Sequence, residues 1–82
     1  MHHYILIDLS DHTVWGETDA GSVADAIGQI VDGLGESGAT WAESRPPRLL
    51  QAYLAPVGWV CSAATEADLV AHIQATCVPV DR

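Results

Sequence analysis

The first 15 residues contain two largely apolar, strand-like runs separated by a short polar segment, a pattern that predicts a β-hairpin. Residues 4–9 read Tyr-Ile-Leu-Ile-Asp-Leu, so β-branched and aromatic side chains follow the two-residue period of a strand. Residues 10–12 are short and polar, and such side chains bond to their own backbone in turns. Residues 13–15 return to strand composition. We therefore predict strands over residues 4–9 and 13–15.

Two later segments carry apolar residues at helical spacing, each after a capping residue. Residues 22–35 begin with Ser22 as the expected N-cap and place Asp25 in the first turn. Residues 65–77 begin in the same way with Thr65. The apolar stripe of the first segment contains Val23, Ile27, Ile30, Val31 and Leu34. The sequence predicts a helix over each segment.

Two apolar runs between these helices, residues 49–55 and 59–63, indicate a second hairpin. Both faces of these runs are largely apolar, so we expect the strands to be central or covered. The predicted element order is therefore ββαββα. We predict one α+β domain over residues 1–82: a two-layer sandwich whose four-stranded, mainly antiparallel sheet carries both helices on one face.

Charge is distributed unevenly along the chain. Residues 1–43 contain eight carboxylates and no Lys or Arg, whereas residues 44–82 contain three residues of each sign, and the formal net charge is −8. Such a surface repels phosphate and attracts cationic groups. Because neutralisation of phosphates supplies most non-specific affinity for nucleic acid, we predict no direct nucleic-acid binding.

The predicted first helix and the loop after it contain the candidate partner-binding residues. Asp25, Asp32 and Glu36 lie away from the apolar stripe and form an acidic ridge. Glu43 and Trp41 follow in the loop, where a large aromatic residue is either a lid over the core or an exposed recognition anchor. The ridge has a simpler interpretation as well, since a solvated acidic face keeps a small protein soluble.

No arrangement typical of catalysis or metal binding can be identified. His72 and Cys77 are five residues apart on one predicted helix, so they point to different sides. The acids and histidine of the first turn lie ~20 Å from His2 and His3 by strand geometry, so these groups cannot share one ion. We interpret His2 and His3 as a terminal or tag-derived pair. The sequence predicts a non-enzymatic protein with no catalytic residues, no metal and no cofactor.

The compartment is predicted from the apolar run at the start and from the cysteines. The apolar run before Asp8 is only four residues long, too short for a signal peptide or a membrane span. Cys61 and Cys77 do not form a disulfide framework, and we interpret them as reduced core residues. We expect a cytoplasmic protein without membrane contact.

At the level of class, an acidic α+β domain of this size resembles the phage-encoded inhibitors known as anti-CRISPR proteins. The resemblance lies in the length and in the acidic block from Asp8 to Glu43, with no shared motif. It implies action in the host cytoplasm on a protein partner with a basic surface, such as a CRISPR effector complex. A second resemblance is to HicB-type antitoxins, which place a strand hairpin before a helix, here residues 4–7 and 22–27. The separate DNA-binding segment usual in those antitoxins has no counterpart here.

Our leading hypothesis is a nucleic-acid mimic whose carboxylates replace phosphates in a basic groove. Its apolar anchor would be Trp41, Tyr53 or Trp15, because charge steers encounter more than it sets the lifetime of a complex. The alternative is a small homo-oligomer, structural or antitoxin-like, that buries Tyr53 or Trp59 between copies and uses its acidity for solubility. A ligand-binding or enzyme-subunit role ranks third.

Overall fold

The structure, a computed structural model, describes residues 1–33 and 50–80. The described elements are β1 (His2–Asp8), β2 (Thr13–Ala20), α1 (Val23–Gly33), β3 (Leu50–Ala55), α2 (Glu66–Thr76) and β4 (Val78–Val80). The strands form one antiparallel sheet in the order β2-β1-β3-β4. The α+β class, the four antiparallel strands and the two helices agree with the sequence prediction.

Strand β1 lies at the centre of the fold and is covered on both faces. Ile5 and Ile7 pack against Val70 and Ile73 of α2, on one face of the sheet. Leu6 packs with Ile30 of α1 on the other face. The two helices therefore cover opposite faces, and the described part of the chain has three layers.

The predicted two-layer sandwich with both helices on one face is thus wrong. The reason lies in β1, where four successive apolar residues, Tyr4 to Ile7, are all buried. Residues 4–7 fit the two-residue period of a strand, but apolar side chains lie on both of its faces. A strand that is apolar on both sides is stable only with cover on both sides.

The second predicted hairpin is also wrong in part, because residues 59–63 leave the sheet. Gly58 has a φ of 77°, and the Trp59 N–H donates to the Pro56 carbonyl at 3.0 Å in a turn. The fourth strand comes instead from Val78–Val80, after α2, so the order is ββαβαβ among the described elements. β4 lies at an end of the described strand order, where the missing N–H of Pro79 is tolerated.

The predicted helix starts are confirmed by their caps. The Asp25 N–H donates to Ser22 Oγ at 3.2 Å, and the Asp68 N–H donates to Thr65 Oγ1 at 3.1 Å. Each bond satisfies one of the backbone donors that a helix leaves free at its first turn. Within the described residues, no helix has the length and apolar character required to cross a membrane.

Candidate partner-binding surface

The outer face of α1 carries two of the predicted binding residues. Asp25 and Asp32 are both exposed, two helical turns or ~10 Å apart along the axis. Gln29 lies between them, and its Oε1 accepts a hydrogen bond from Thr18 Oγ1 at 2.9 Å, which joins α1 to β2. The carboxylates therefore stand on a helix that is fixed to the sheet. Glu36, Trp41 and Glu43 lie outside the described residues.

Two of the predicted aromatic anchors are unavailable to a partner. Trp15 is only 8% exposed and packs with Leu6 and Ile30, while Tyr53 is 6% exposed and belongs to the core on the α2 side. The predictions that Trp15 or Tyr53 serves as an anchor, and that Tyr53 lies between copies, are therefore wrong. An aromatic residue in a strand does not reveal which helix covers it. Trp41 stays a prediction.

A second acidic pair, which the sequence analysis missed, stands on β2. Glu17 and Asp19 are exposed and point to the same face of the strand, and Asp19 is the direct cross-strand neighbour of His3. His3 Nδ1 lies 2.8 Å from Asp19 Oδ1, and His3 Nε2 lies 3.6 Å from Glu17 Oε2. The imidazole is thus held between two carboxylates. The sequence could have revealed this arrangement only through the β1–β2 register, which requires β1 to begin at His2 and β2 to extend to Ala20.

These contacts raise the pKa of His3 above its usual value of 6.5. The hydrogen bond to Asp19 is the largest cause, and burial opposes it in part. Because the pKa of His3 is higher in the folded state than in the unfolded state, protonation of His3 stabilises the fold. This stabilisation is fully present below the unfolded-state pKa. That contribution is lost as pH rises through the folded pKa.

Replacing His3 by Gln should therefore change stability at acidic pH and leave it nearly unchanged at alkaline pH. We expect a loss of at most about 1 kcal/mol below the unfolded pKa, since the pair is partly exposed and solvent-screened. Urea denaturation of both proteins at about pH 5.5 and pH 8.5 checks this. An equal loss at both pH values would show that packing, and not the charge of His3, is responsible.

Trp59 lies beside this pair and is held in a fixed orientation. Its ring stacks on His72 with 5.6 Å between centroids and 29° between planes. Its Nε1–H donates to Thr76 Oγ1 at 2.8 Å, and that hydroxyl donates to the His72 carbonyl at 2.7 Å. Trp59 is half-buried, so part of it remains open to solvent.

Two open cavities meet at His3 and Trp59, and we call them together the His3–Trp59 cleft. One cavity, of about 400 Å³, also contains Val14, Gly16, Glu17, Val60, Cys61 and Leu69. The other, of about 260 Å³, also contains Met1, His2, Asp19, Ala55, Pro56, Val57 and Gly58. Each cavity thus contains Trp59 and one exposed carboxylate, Glu17 in the larger cavity and Asp19 in the smaller. Val57 lines the smaller cavity and Val60 the larger one, and both are exposed apolar residues.

The described residues contain no arrangement for metal chemistry. No group of three His, Cys, Asp or Glu side chains among residues 1–33 and 50–80 is placed to hold an ion. Both cysteines are free thiols. Cys77 is buried, as expected of a small core residue, and this burial raises the pKa of its thiol and makes it less reactive. Cys61 is half-buried and lines the cleft.

Comparison with known proteins adds no identity to these observations. No protein-family model, curated protein or solved structure matches the chain at a significant level.

Proposed function

We propose that this chain is a non-enzymatic protein that binds a basic, nucleic-acid-binding surface of a protein partner and blocks it. The observation that carries the proposal is the charge of the described surface. Residues 1–33 and 50–80 contain no Lys or Arg, and their exposed carboxylates are Asp11, Glu17, Asp19, Asp25, Asp32, Glu66 and Asp68. A surface with this composition attracts cationic grooves and repels phosphate.

The position of α1 supports the use of this charge in recognition. Asp25 and Asp32 are presented from a regular helix that packs on the sheet through Ile30, so their spacing is fixed before any partner arrives. Fixed charges steer encounter without an ordering cost on binding. By resemblance to anti-CRISPR proteins, a CRISPR effector complex in the host cytoplasm is the kind of partner that this proposal implies.

Neutralising the two α1 carboxylates should slow association with such a partner. We expect the D25N/D32N variant to associate several-fold more slowly than wild type, with a smaller change in dissociation, because exposed charges act mainly on the encounter rate. Raising the salt concentration should slow the wild type as well, since screening acts over about 8 Å at physiological ionic strength. The partner is first captured from host lysate, and the rates are then measured at two salt concentrations.

A matched control separates local charge from net charge. The A63K/A75K variant raises the net charge by the same amount at two exposed positions away from α1. It should associate faster than D25N/D32N, with circular dichroism confirming that both variants fold. Equal slowing by both variants would mean that the net charge, and not the α1 carboxylates in particular, steers association. Binding that ignores salt, or a D25N/D32N variant that associates as wild type does, would mean that the acidity serves solubility.

The alternative, a small homo-oligomer, is favoured by a different observation. Met1, Val57, Val60 and Val78 are exposed apolar side chains. Contact between copies would cover them, and Trp59 lies between Val57 and Val60 in the chain. Sedimentation over a concentration series tests this alternative, since a constant mass of 8.7 kDa would exclude it.

A further inference from the structure

The His3–Trp59 cleft combines the groups that recognise a cationic side chain with an apolar stem. Val14, Trp59 and Leu69 line its larger cavity, and Glu17 and His3 line the same cavity. Its smaller cavity places Asp19 beside the same histidine. A carboxylate next to an aromatic ring is a suitable site for a guanidinium group, which bonds to acids and stacks on ring faces.

The spacing of the two carboxylates fits the planar fork of arginine better than the point charge of lysine. Glu17 and Asp19 are alternate residues of one strand, so their side chains leave the same face ~7 Å apart. The His3 ring already spans them, with its two nitrogens 2.8 Å and 3.6 Å from the two acids. A planar group with donors on two edges can therefore contact both carboxylates at once.

The aromatic side of the cleft is fixed in advance. The stacking of Trp59 on His72 and its hydrogen bond to Thr76 hold the indole against α2. A side chain that enters the cleft therefore has no need to order this ring, and less affinity is lost on binding.

We propose that the His3–Trp59 cleft binds an arginine side chain of the protein partner, with Glu17 and Asp19 contacting the guanidinium and Trp59 contacting its stem or plane. This inference rests on the proposed function, because it assigns a site to the recognition of a basic partner. It adds a pocket on the α2 side of the sheet, whereas Asp25 and Asp32 stand on the α1 side.

The site contains its own competitor for arginine. When His3 is protonated, the imidazolium satisfies the carboxylates and repels a second cation. When His3 is neutral, its single N–H can donate to only one of the two carboxylates, the positive charge is gone, and the other carboxylate can accept a guanidinium. The other titratable groups around His3 are Glu17 and Asp19 on β2, with the His2 imidazole, the Met1 amino group and the Cys61 thiol among the cleft residues. Affinity for arginine should therefore rise as pH increases through the pKa of His3.

The test uses two blocked tripeptides, acetyl-Leu-Arg-Leu-amide and its citrulline counterpart, a neutral isostere of arginine. Titration is followed by ¹⁵N–¹H NMR at about pH 8. We expect the arginine peptide to shift the amide signals of Glu17 and Asp19 and the indole signal of Trp59. The citrulline peptide and the E17Q/D19N variant should each bind about tenfold more weakly or worse, since charge-assisted bonds are lost. The A67K/A71K variant is the matched control, because it raises the net charge by the same amount at two exposed positions that line neither cavity of the cleft, and it should bind as wild type does.

Two His3 variants test the competition. H3Q should bind the arginine peptide equally well at about pH 5.5 and pH 8, while wild type binds more weakly at the lower pH. H3K should bind poorly at both, because its charge is permanent. Equal binding of the arginine and citrulline peptides, or of wild type and E17Q/D19N, would overturn the inference. If D25N/D32N slows capture of the partner and the peptide does not bind the cleft, the inference fails and the proposed function stands.

Discussion

The Ile73→Ala variant is expected to lose a large fraction of the stability of the fold. Ile73 is 1% exposed and packs, from α2, into the cluster that contains Ile5 and Ile7 of the central strand. Truncation of such a side chain costs about 2–5 kcal/mol, because transfer energy is lost and a cavity remains. A domain of 82 residues typically has a free energy of unfolding of about 4–12 kcal/mol in total. Urea denaturation followed by circular dichroism measures the loss.

Two further variants make this expectation specific. Ile73→Val should cost only about 0.5–1.5 kcal/mol. In the Ile30→Val/Ile73→Val double variant, the loss of unfolding free energy should equal the sum of the two single losses to within about 0.5 kcal/mol. This follows because the two side chains lie in different core clusters, on opposite sides of the sheet. Strong coupling between them would contradict the placement of the helices on opposite faces, and a negligible effect of Ile73→Ala would contradict the burial of α2.

The second large effect is expected from Asp8→Ala, at the end of β1. Asp8 is fully buried, and its Oδ1 accepts hydrogen bonds from the Ser10 N–H at 2.9 Å and from Ser10 Oγ at 2.6 Å. This carboxylate therefore holds the turn between β1 and β2. Its removal breaks both hydrogen bonds, and at about 0.5–1.5 kcal/mol for each bond we expect a loss of about 1–3 kcal/mol.

Asp8→Asn is the control for this variant, because an amide retains one acceptor oxygen. We expect it to lose less stability than Asp8→Ala in the same denaturation experiment. If the alanine variant is as stable as wild type, the turn is held by other contacts. If asparagine and alanine are equally damaging, the oxygen acceptor is not what matters at this position.

Features fixed by neighbouring residues were predictable from the sequence. The starts of α1 and α2 follow from Ser22 and Thr65, whose caps involve residues only three positions away. The exposure of Asp25 and Asp32 follows from helical spacing relative to Ile30. None of these inferences requires knowledge of where distant segments lie.

Features fixed by distant residues were missed for the same physical reason. Trp59 has strand-like neighbours, but its indole finds His72 and Thr76 on α2, and the chain leaves the sheet there. The site at His3 depends on the register that brings Asp19 opposite to it. Whether a buried strand is covered by one helix or by two is likewise decided by the whole chain, since both arrangements satisfy the same local pattern.

The central position of β1 has a consequence for how this protein can be dissected and produced. Its pairing partner β3 follows about 40 to 50 residues later, and α2, which covers Ile5 and Ile7, comes after that. Until those segments are synthesised, the hairpin and α1 present an open strand edge and an uncovered apolar face, the features that promote misassembly of nascent chains. A fragment ending at residue 33 retains Asp25 and Asp32 and still lacks the cover that β1 requires. Helix α1 is therefore not separable from the rest of the described fold, and expression strategies should protect the chain until residues 50–80 have folded.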